Sequence, residues 1–207
     1  MEHEDRLNKI IDTLVHSTSE DVTKGAYKEW AESYESDLGG FGYVAPQTGA
    51  NMFHEALKRP DGLIFDAGCG TGWVAQCLRP KGYTSIDGAD FSPEMLAQAA
   101  ELNIYQNLWE MNFKKPLPLA DTTYDGAICI GVYSSTIGDL FLTELIRVVK
   151  PGGMIAMSCR PLYYDSDLHL QIEQHQQAGR VEMINEVLSA YMTGQNADAS
   201  YVALKKQ

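Results

Sequence analysis

The sequence predicts an α/β fold in which a doubly wound, mostly parallel sheet carries helices on both faces. Three features of the chain support this prediction. A short apolar run at 64–66 ends in a glycine-rich turn that leads into a helical pattern. Further short apolar runs alternate with helical patterns, as in strand–helix–strand units. The C-terminal part contains two strand-like runs joined by a polar turn, which predicts an antiparallel hairpin at one side of the sheet.

Composition and charge limit the class of protein. The chain has 207 residues, of which 44% are hydrophobic, and this suits one well-buried domain. Its net charge of −12 argues against a nucleic-acid partner, because such binding draws much of its affinity from Lys and Arg on phosphates. No apolar run is long enough to cross a membrane, and the acidic N-terminus lacks the apolar core of a signal peptide. We therefore expect a small-molecule substrate, no membrane partner, and a monomer or homodimer.

The chain contains four cysteines, at positions 69, 77, 129 and 159. They lie in apolar or glycine-rich surroundings and form no Cys-x-x-Cys pair. This pattern favours free, reduced thiols over disulfides or a zinc site, and so it favours a cytoplasmic location.

Residues 1–60 are predicted to form a helical cap and lid, ahead of a core at 61–207, within one compact domain overall. A helical stripe of apolar residues runs over 4–16. A second predicted helix, over 26–37, carries aromatic residues on one face at spacings of three and four. That stripe fits either a core helix or a lid over a ligand. Glycine-rich residues at 39–46 predict a mobile connection, and 47–57 predicts a helix leading into the core.

The stretch at 64–74 predicts a buried strand, a tight turn and the start of a helix. Gly68, Gly70 and Gly72 allow backbone conformations closed to other residues and let a ligand lie against bare main chain. The helix N-terminus behind them offers unpaired N–H groups. A dinucleotide site would want Gly-x-Gly-x-x-Gly, whereas here the third glycine comes one residue early. The spacing thus disfavours a nicotinamide cofactor, and a turn without a ligand remains the alternative.

An acidic residue follows the predicted second strand at 83–86. In a doubly wound sheet the end of this strand opens on the same crevice as the glycine turn. A carboxylate there, about twenty residues past the glycines, can accept hydrogen bonds from ribose hydroxyls. Asp90 is the preferred candidate and Asp87 is the alternative. Ser92 and Pro93 then predict the first residues of a helix.

The later runs complete the predicted sheet. Residues 124–131 form a continuous apolar run, which suits a strand buried on both faces. A helix over 140–149, a strand over 154–158 and a polar helix over 165–179 follow, and Arg160, Tyr163 and Tyr164 after the strand are placed to reach a substrate. His169 and His175 are six residues apart, off the spacing that shares a helix face, so we expect a solvated helix and no metal site. The runs at 181–191 and 200–205 are the predicted hairpin.

Several of these motifs resemble those of class I S-adenosylmethionine (SAM) dependent methyltransferases. Asp66-x-Gly68-x-Gly70-x-Gly72 resembles the first motif of the class, and Asp90-Phe-Ser-Pro-Glu-Met-Leu resembles the second. Within the class, segments 30–37, 42–46 and 191–206 resemble the methyltransferase-like proteins named for the Williams-Beuren chromosomal region. The resemblance implies a Rossmann-like seven-stranded sheet of strand order 3-2-1-4-5-7-6, with SAM as cofactor and S-adenosylhomocysteine (SAH) as product.

The resemblance also implies a cofactor site. The glycine-loop amides and Asp66 would orient the methionine end, Asp90 the ribose, and Asn112 with Phe113 the adenine. Asn112 stands where the class commonly has an acid, and its amide oxygen can still accept from the adenine amino group. The implied cofactor-binding residues are Trp30, Tyr34, Asp66, Ala67, Gly68, Gly70, Asp90, Phe91, Met95, Asn112, Phe113, Ile130 and Gly131.

The reaction implied is in-line displacement of a methyl group from a sulfonium, with positioning as the main source of rate, worth roughly 7–11 kcal/mol in well-aligned systems. Catalytic residues are not predicted, although Tyr133 and His169 are considered as a general base. We expect a small-molecule methyltransferase. The alternatives are a protein methyltransferase and a SAM- or SAH-binding regulator without turnover.

Overall fold

The computed structural model describes residues 6–7, 9–10, 13, 19–133 and 137–207. The predicted helix over 4–16 lies largely outside these residues. Within the described part of the chain, seven strands form one sheet of order β3-β2-β1-β4-β5-β7-β6. The strands are β1 Ile64–Ala67, β2 Ile86–Asp90, β3 Asn107–Glu110, β4 Tyr124–Tyr133, β5 Val149–Cys159, β6 Val181–Met192 and β7 Ala197–Lys206.

Strand directions match the predicted Rossmann-like sheet. All neighbouring pairs among the strands β1 to β5 are parallel. The strand β7 is antiparallel to both β5 and β6, so the C-terminal hairpin is confirmed. Because all parallel strands end at one edge, the turns after β1, β2, β4 and β5 meet there.

Helices cover both faces of the sheet. Ile64 and Phe65, adjacent in β1, belong to two different buried clusters, since successive side chains of a strand point to opposite faces. The helices of the described residues are Glu20–Trp30, Tyr34–Gly40, Ala45–Leu57, Trp73–Leu78, Pro93–Glu101, Leu140–Val148 and His169–Gln177, with a short helical turn at Pro161–Tyr163 and a π-helical turn at Tyr164–Leu168. None of the helices in this part of the chain is long and apolar enough to cross a membrane.

The second strand begins later than predicted. The ladder with β1 starts at Ile86, not at Tyr83. Tyr83 is fully buried because its ring packs 5.8 Å from the ring of Phe53, yet its backbone lies outside the strand. The apolar residue at position 83 therefore indicated a buried side chain and not a strand residue.

The predicted helix over 26–37 is interrupted. It ends at Trp30, passes through a 3₁₀ turn at Ala31–Ser33, and resumes as Tyr34–Gly40. The Trp30 indole N–H donates to Asp37 at 3.0 Å across this turn, and the Gln98 amide donates to the Ala31 carbonyl at 2.7 Å. These bonds satisfy polar groups where the helix is interrupted. The local sequence pattern does not predict this interruption. The glycines at 39 and 40 lie within the resumed helix, so the connection predicted at 39–46 is confined to 41–44.

The polar helix predicted at 165–179 is also not uniformly solvated. His175 is 5% exposed, and its Nε2 lies 3.3 Å from the Thr143 hydroxyl. Leu168 and Ile172 are fully buried, and His175 follows them at helical spacing, so it shares their inward face. The prediction of a solvated face is wrong for His175, whereas the His169 side chain is 40% exposed.

The helix Ala45–Leu57 belongs to the central packing. Ala50 and Phe53 are fully buried in the same cluster as Ile64 and Ile128. The division into a cap at 1–60 and a core at 61–207 remains a prediction. All four cysteines are free thiols, as predicted.

Candidate active site

A cavity of about 250 Å³ lies at the carboxyl ends of the central strands. It is somewhat smaller than the range of about 300–1,000 Å³ common for small-molecule sites. The predicted residues that line the cavity are Trp30, Tyr34, Gly68, Gly70, Asp90, Phe91, Met95, Asn112, Phe113, Ile130 and Gly131. The structure therefore brings most of the predicted set to one place.

The glycine turn and Asp90 are in direct contact. The Gly70 N–H donates to one Asp90 carboxylate oxygen at 2.9 Å, and the Ser92 N–H donates to the other at 2.9 Å. The Gly68 N–H donates to the Ala89 carbonyl at 2.8 Å, which ties the turn to the end of β2. Burial raises the pKa of the Asp90 carboxyl, and the N–H groups of Ser92, Gly70 and Phe91 oppose that rise. The carboxylate is thus fixed at the mouth of the turn.

The turn requires glycine for two different reasons. Gly68 and Gly70 both have positive φ, +79° and +53°, a region that other residues rarely adopt. A Cβ on Gly68 would lie 2.2 Å from a methyl carbon of Val132, so the turn packs closely there. A Cβ on Gly70 would meet no heavy atom within 4 Å. Gly70 therefore leaves open space beside the Asp90 carboxylate.

The structure distinguishes between the two acids considered as ribose ligands. Asp87 accepts hydrogen bonds from the Asn107 amide at 2.8 Å and from the Tyr124 hydroxyl at 3.2 Å. It does not line the cavity, whereas Asp90 does. Asp87 has a local packing role, and the position at the cavity belongs to Asp90.

Asp66 and Ala67 do not line the cavity, unlike the other predicted residues. Asp66 lies on the sheet face of Ile64, where it accepts a hydrogen bond from the Tyr105 hydroxyl at 2.7 Å. Burial raises the pKa of Asp66 to about 7; the Tyr105 bond opposes this shift and the Asp90 charge adds to it. The structure places this carboxyl behind the glycine turn, against Tyr105 and outside the cavity.

The segment after β3 forms another wall. The Asn112 side-chain oxygen accepts from the Lys114 N–H at 2.9 Å, and both residues line the cavity. The Phe113 ring packs 5.0 Å from the ring of Phe141 in the core. Asn112 is therefore held in place by its own turn, with Phe113 as a rigid apolar neighbour.

The N-terminal helices close the cavity from above. Tyr27, Trp30, Tyr34 and Leu38 all line it. The Trp30 and Tyr34 rings lie 4.8 Å apart, and the Tyr27 ring meets the Phe91 ring edge-on at 5.4 Å. Tyr27 stands on the aromatic stripe of the sequence but was not among the predicted site residues.

The opposite end of the cavity was largely missed by sequence reasoning. Ser158 and Arg160, at the end of β5, line it, as does Tyr191 of β6. The Ser158 hydroxyl accepts from the Gly131 N–H at 2.9 Å, which joins the ends of β4 and β5. Arg160 was noted for its position after a strand, and the same signal, a polar residue after a buried strand, identifies Ser158.

Neither residue considered as a general base is placed to act as one. Tyr133 lines the cavity, but its hydroxyl donates to Asp167 at 2.9 Å and accepts from Gln171 at 2.7 Å. Burial and the Asp167 carboxylate raise the pKa of Tyr133, so this hydroxyl keeps its proton. His169 does not line the cavity and lies 3.4 Å from Glu173.

The strand order, the glycine turn and its acid define a class I SAM-dependent methyltransferase, and the chain belongs to that family. A family model described as "Methyltransferase domain" matches residues 65–157. Methyltransferase-like protein 27 from Homo sapiens is 33% identical over 163 residues, covering 75% of this chain and 66% of that protein. A malonyl-[acyl-carrier protein] O-methyltransferase from Erwinia billingiae is 32% identical over 136 residues, covering 64% of this chain and 51% of that protein. The chain thus spans about half to two thirds of the length of these relatives.

Solved structures agree on the fold. A magnesium protoporphyrin IX methyltransferase from Synechocystis with bound SAM superposes with a TM-score of 0.61 at 16% identity, covering 79% of this chain and 81% of that one. A 1,6-didemethyltoxoflavin-N1-methyltransferase from Burkholderia thailandensis with SAH gives 0.63 at 15% identity, covering 87% and 86%.

Proposed function

We propose that this chain binds SAM in the cavity at the ends of β1, β2 and β4 and transfers its methyl group to a small molecule. The observation that carries the proposal is the contact between Gly70 and Asp90. Bare main chain and a fixed carboxylate lie side by side at the ends of two adjacent parallel strands, where nucleotide cofactors bind in doubly wound sheets.

The residues present fit a nucleoside. Each Asp90 oxygen accepts one backbone N–H and keeps further acceptor capacity, which suits a pair of ribose hydroxyls. The open space at Gly70 admits the sugar without a side chain in the way. Asn112 offers an uncharged polar group, and Phe91, Met95 and Phe113 offer apolar surface for the adenine ring.

The N-terminal helices supply the lid in this proposal, as a cap at 1–60 over a core at 61–207. Trp30 is buried, and together with Tyr34 it lines the cavity that the glycine turn also lines. Closing an aromatic wall over the site excludes water and strengthens the polar contacts inside.

The bound cofactor supplies an electrophilic methyl group on a good, positively charged leaving group. The chain's own residues then need to position donor and acceptor, a contribution of roughly 7–11 kcal/mol where alignment is good. Gly131, Ser158 and Tyr191 form the wall beyond the nucleoside end, where an acceptor would sit. Asp90 is the sole carboxylate of the described lining, and no histidine lies among these residues, so they offer no free base.

Several features support a small-molecule methyl acceptor and a cytoplasmic location of the protein. The cavity of about 250 Å³ is small. The malonyl carrier, protoporphyrin and toxoflavin enzymes named above share the family or the fold. Free thiols fit a reducing compartment. The charge of −12 disfavours nucleic acid, and we propose a monomer or homodimer.

Calorimetry with SAM and with SAH tests the cofactor assignment. We expect saturable binding of both, and no heat at millimolar ligand would contradict the proposal. Release of homocysteine from SAH, coupled to a metabolite panel, then tests turnover. Binding without turnover on small molecules or on basic proteins would favour a SAM-binding regulator instead.

A further inference from the structure

The proposed function leaves the acceptor unspecified, and one residue of the cavity bears on it. Arg160 lines the cavity directly after the last residue of β5. Its guanidinium lies 5.1 Å from the centre of the Tyr163 ring, and no carboxylate of the described residues forms an ion pair with it. In a chain of net charge −12, this cation therefore lacks an ion-pair partner within the described structure.

Arg160 lies away from the proposed nucleoside position. Asp90 ends β2 and Arg160 follows β5, and the sheet order places β1 and β4 between them. Three strand spacings separate these positions by about 14 Å across the sheet. Lys114, the other cation of the lining, follows β3 on the opposite side of Asp90. Arg160 is therefore the cation at the acceptor end.

The charge of Arg160 affects the pKa of other side chains of the cavity. Burial raises the pKa of both the Tyr27 and Tyr191 hydroxyls, and the Asp90 charge adds to the rise at Tyr27. The Arg160 guanidinium opposes the rise in both. Both tyrosines line the cavity and keep their protons, so they remain hydrogen-bond donors. A guanidinium in a cavity that Tyr191 also lines matches a planar anion, because Arg recognises carboxylates with two parallel N–H groups.

The side chains of the cavity also argue against acceptors that must lose a proton. Tyr133 is held by Asp167 and Gln171, and Asp90 is engaged with backbone N–H groups. An ammonium group would moreover be repelled by Arg160. A carboxylate needs no base, since it is already ionised at neutral pH.

The geometry points to a small-molecule carboxylate as the methyl acceptor, held by Arg160 and methylated on a carboxyl oxygen; this inference rests on the proposed function. In the step, a carboxylate oxygen attacks the methyl carbon as the carbon–sulfur bond breaks and its electron pair stays on sulfur. An anion and a sulfonium cation become a neutral methyl ester and a neutral thioether. No proton is transferred, which agrees with the lack of a free base among the described lining residues.

The test uses matched probes and the full chain. Phenylacetate, octanoate and succinate are each offered with methyl-labelled SAM, beside the corresponding amide, alcohol and amine and beside a phosphate monoester. Methyl esters release labelled methanol in alkali, whereas N-methyl and ether products do not. The affinity for SAH is measured in parallel for wild type, Arg160→Met, Arg160→Lys and Arg79→Met, the last removing an exposed arginine outside the cavity.

We expect alkali-labile label with at least one acid and with none of its analogues. Arg160→Met should lower kcat/KM for that acid at least about 30-fold, as for loss of one partner of a desolvated charge pair. Arg160→Lys should retain part of the activity, and Arg79→Met all of it, with SAH affinity within about threefold throughout.

Three results would overturn the inference while leaving the cofactor assignment intact. These are alkali-stable label, SAM binding with no acid esterified, and a loss of SAH affinity in Arg160→Met, which would assign Arg160 to the carboxylate of the cofactor itself. A wild-type chain that binds neither SAM nor SAH would instead remove the proposed function, and this inference with it.

Discussion

The hydroxyl of Thr71 donates a hydrogen bond to the carboxylate of Glu35 at 2.7 Å. Thr71 belongs to the glycine turn, whereas Glu35 lies in the first turn of the helix Tyr34–Gly40. This bond therefore connects the proposed lid directly to the proposed cofactor loop. The charged acceptor and the buried Thr71 donor strengthen this hydrogen bond, whereas the exposure of Glu35 to solvent weakens it.

Thr71→Val removes the donor at nearly constant volume. We expect faster amide hydrogen exchange across Tyr34–Gly40, because the helix loses its tie to the glycine turn. The affinity for SAH should fall about fivefold, equivalent to about 1 kcal/mol of lost lid stabilisation. Hydrogen exchange read by mass spectrometry, together with calorimetry, measures both effects.

Thr123→Val is the control for this change. Its hydroxyl donates to the Ala120 carbonyl at 2.8 Å, outside the cavity. Exchange in Tyr34–Gly40 should then match wild type. Equal exchange in both variants would show that the Thr71 bond does not hold the lid.

Asp90→Asn tests the ribose assignment. An amide oxygen can accept one of the two backbone N–H groups, but its NH₂ then faces the other, so both cofactor affinity and stability should fall. We expect SAH to bind at least about tenfold more weakly, the effect of losing a charged hydrogen-bond partner. Calorimetry gives the affinity, and thermal unfolding of the empty protein gives the stability.

Asp87→Asn provides the matched control in the same strand. Its partners are Asn107 and Tyr124, so it should lower the melting temperature without weakening SAH. A similar loss of affinity in both variants would mean that the effect is one of folding, and the ribose assignment to Asp90 would fail.

Sequence reasoning predicted the frame of the site because that frame depends on local signals. The glycine spacing, the acid at the end of β2 and the hairpin each occupy a short stretch of chain, and each recurs in the structure. Gly70 and Asp90 are 20 positions apart, yet parallel pairing of β1 and β2 fixes them side by side.

The features of the site that sequence reasoning did not predict depend on partners that are distant along the chain. Asp66 matches the first motif but is withdrawn toward Tyr105, which lies 39 positions along the chain. The break after Trp30 depends on Gln98, 67 positions from Ala31. Tyr191 reaches the cavity only because the hairpin returns along β5. None of these contacts has a signature within its own segment.

Gly70→Ala tests whether the open space beside Asp90 belongs to the cofactor. The positive φ of +53° is strained for alanine, with a cost of about 1–2 kcal/mol in folding. The added methyl would also stand in the cavity, so we expect SAH binding to be lost beyond what instability explains. Affinity is measured at a temperature where the variant is folded by circular dichroism.

Gly179→Ala separates strain from occlusion. Gly179 has a φ of +65° and lies outside the cavity, and, as at Gly70, an added Cβ would meet no heavy atom within 4 Å. Its stability should fall by a similar amount while SAH binding stays at the wild-type level. Normal SAH binding by Gly70→Ala would place the cofactor elsewhere.

The buried carboxyl of Asp66 predicts how stability changes with pH. Its pKa is about 7 in the folded protein, against about 3.9 in an unfolded chain. Between these values the folded protein holds a proton that the unfolded chain has released, so the free energy of unfolding decreases as pH rises through this window. In Asp66→Asn the side chain is neutral at every pH, so the free energy of unfolding should no longer decrease with pH on account of this residue. Relative to wild type, its free energy of unfolding should rise by on the order of a few kcal/mol between pH 4.5 and 8.

Tyr105→Phe distinguishes this carboxyl from other titrating groups. The Tyr105 hydroxyl donates to Asp66 at 2.7 Å and opposes the upward pKa shift, so its removal should extend the falling limb to higher pH. Urea unfolding at half-unit pH steps measures the three profiles. Parallel profiles for wild type and Asp66→Asn would show that Asp66 does not titrate between these states, and its carboxyl would then be ionised behind the glycine turn. An ionised group at that position would require a compensating donor for its second oxygen, which has no hydrogen-bond partner in the described structure.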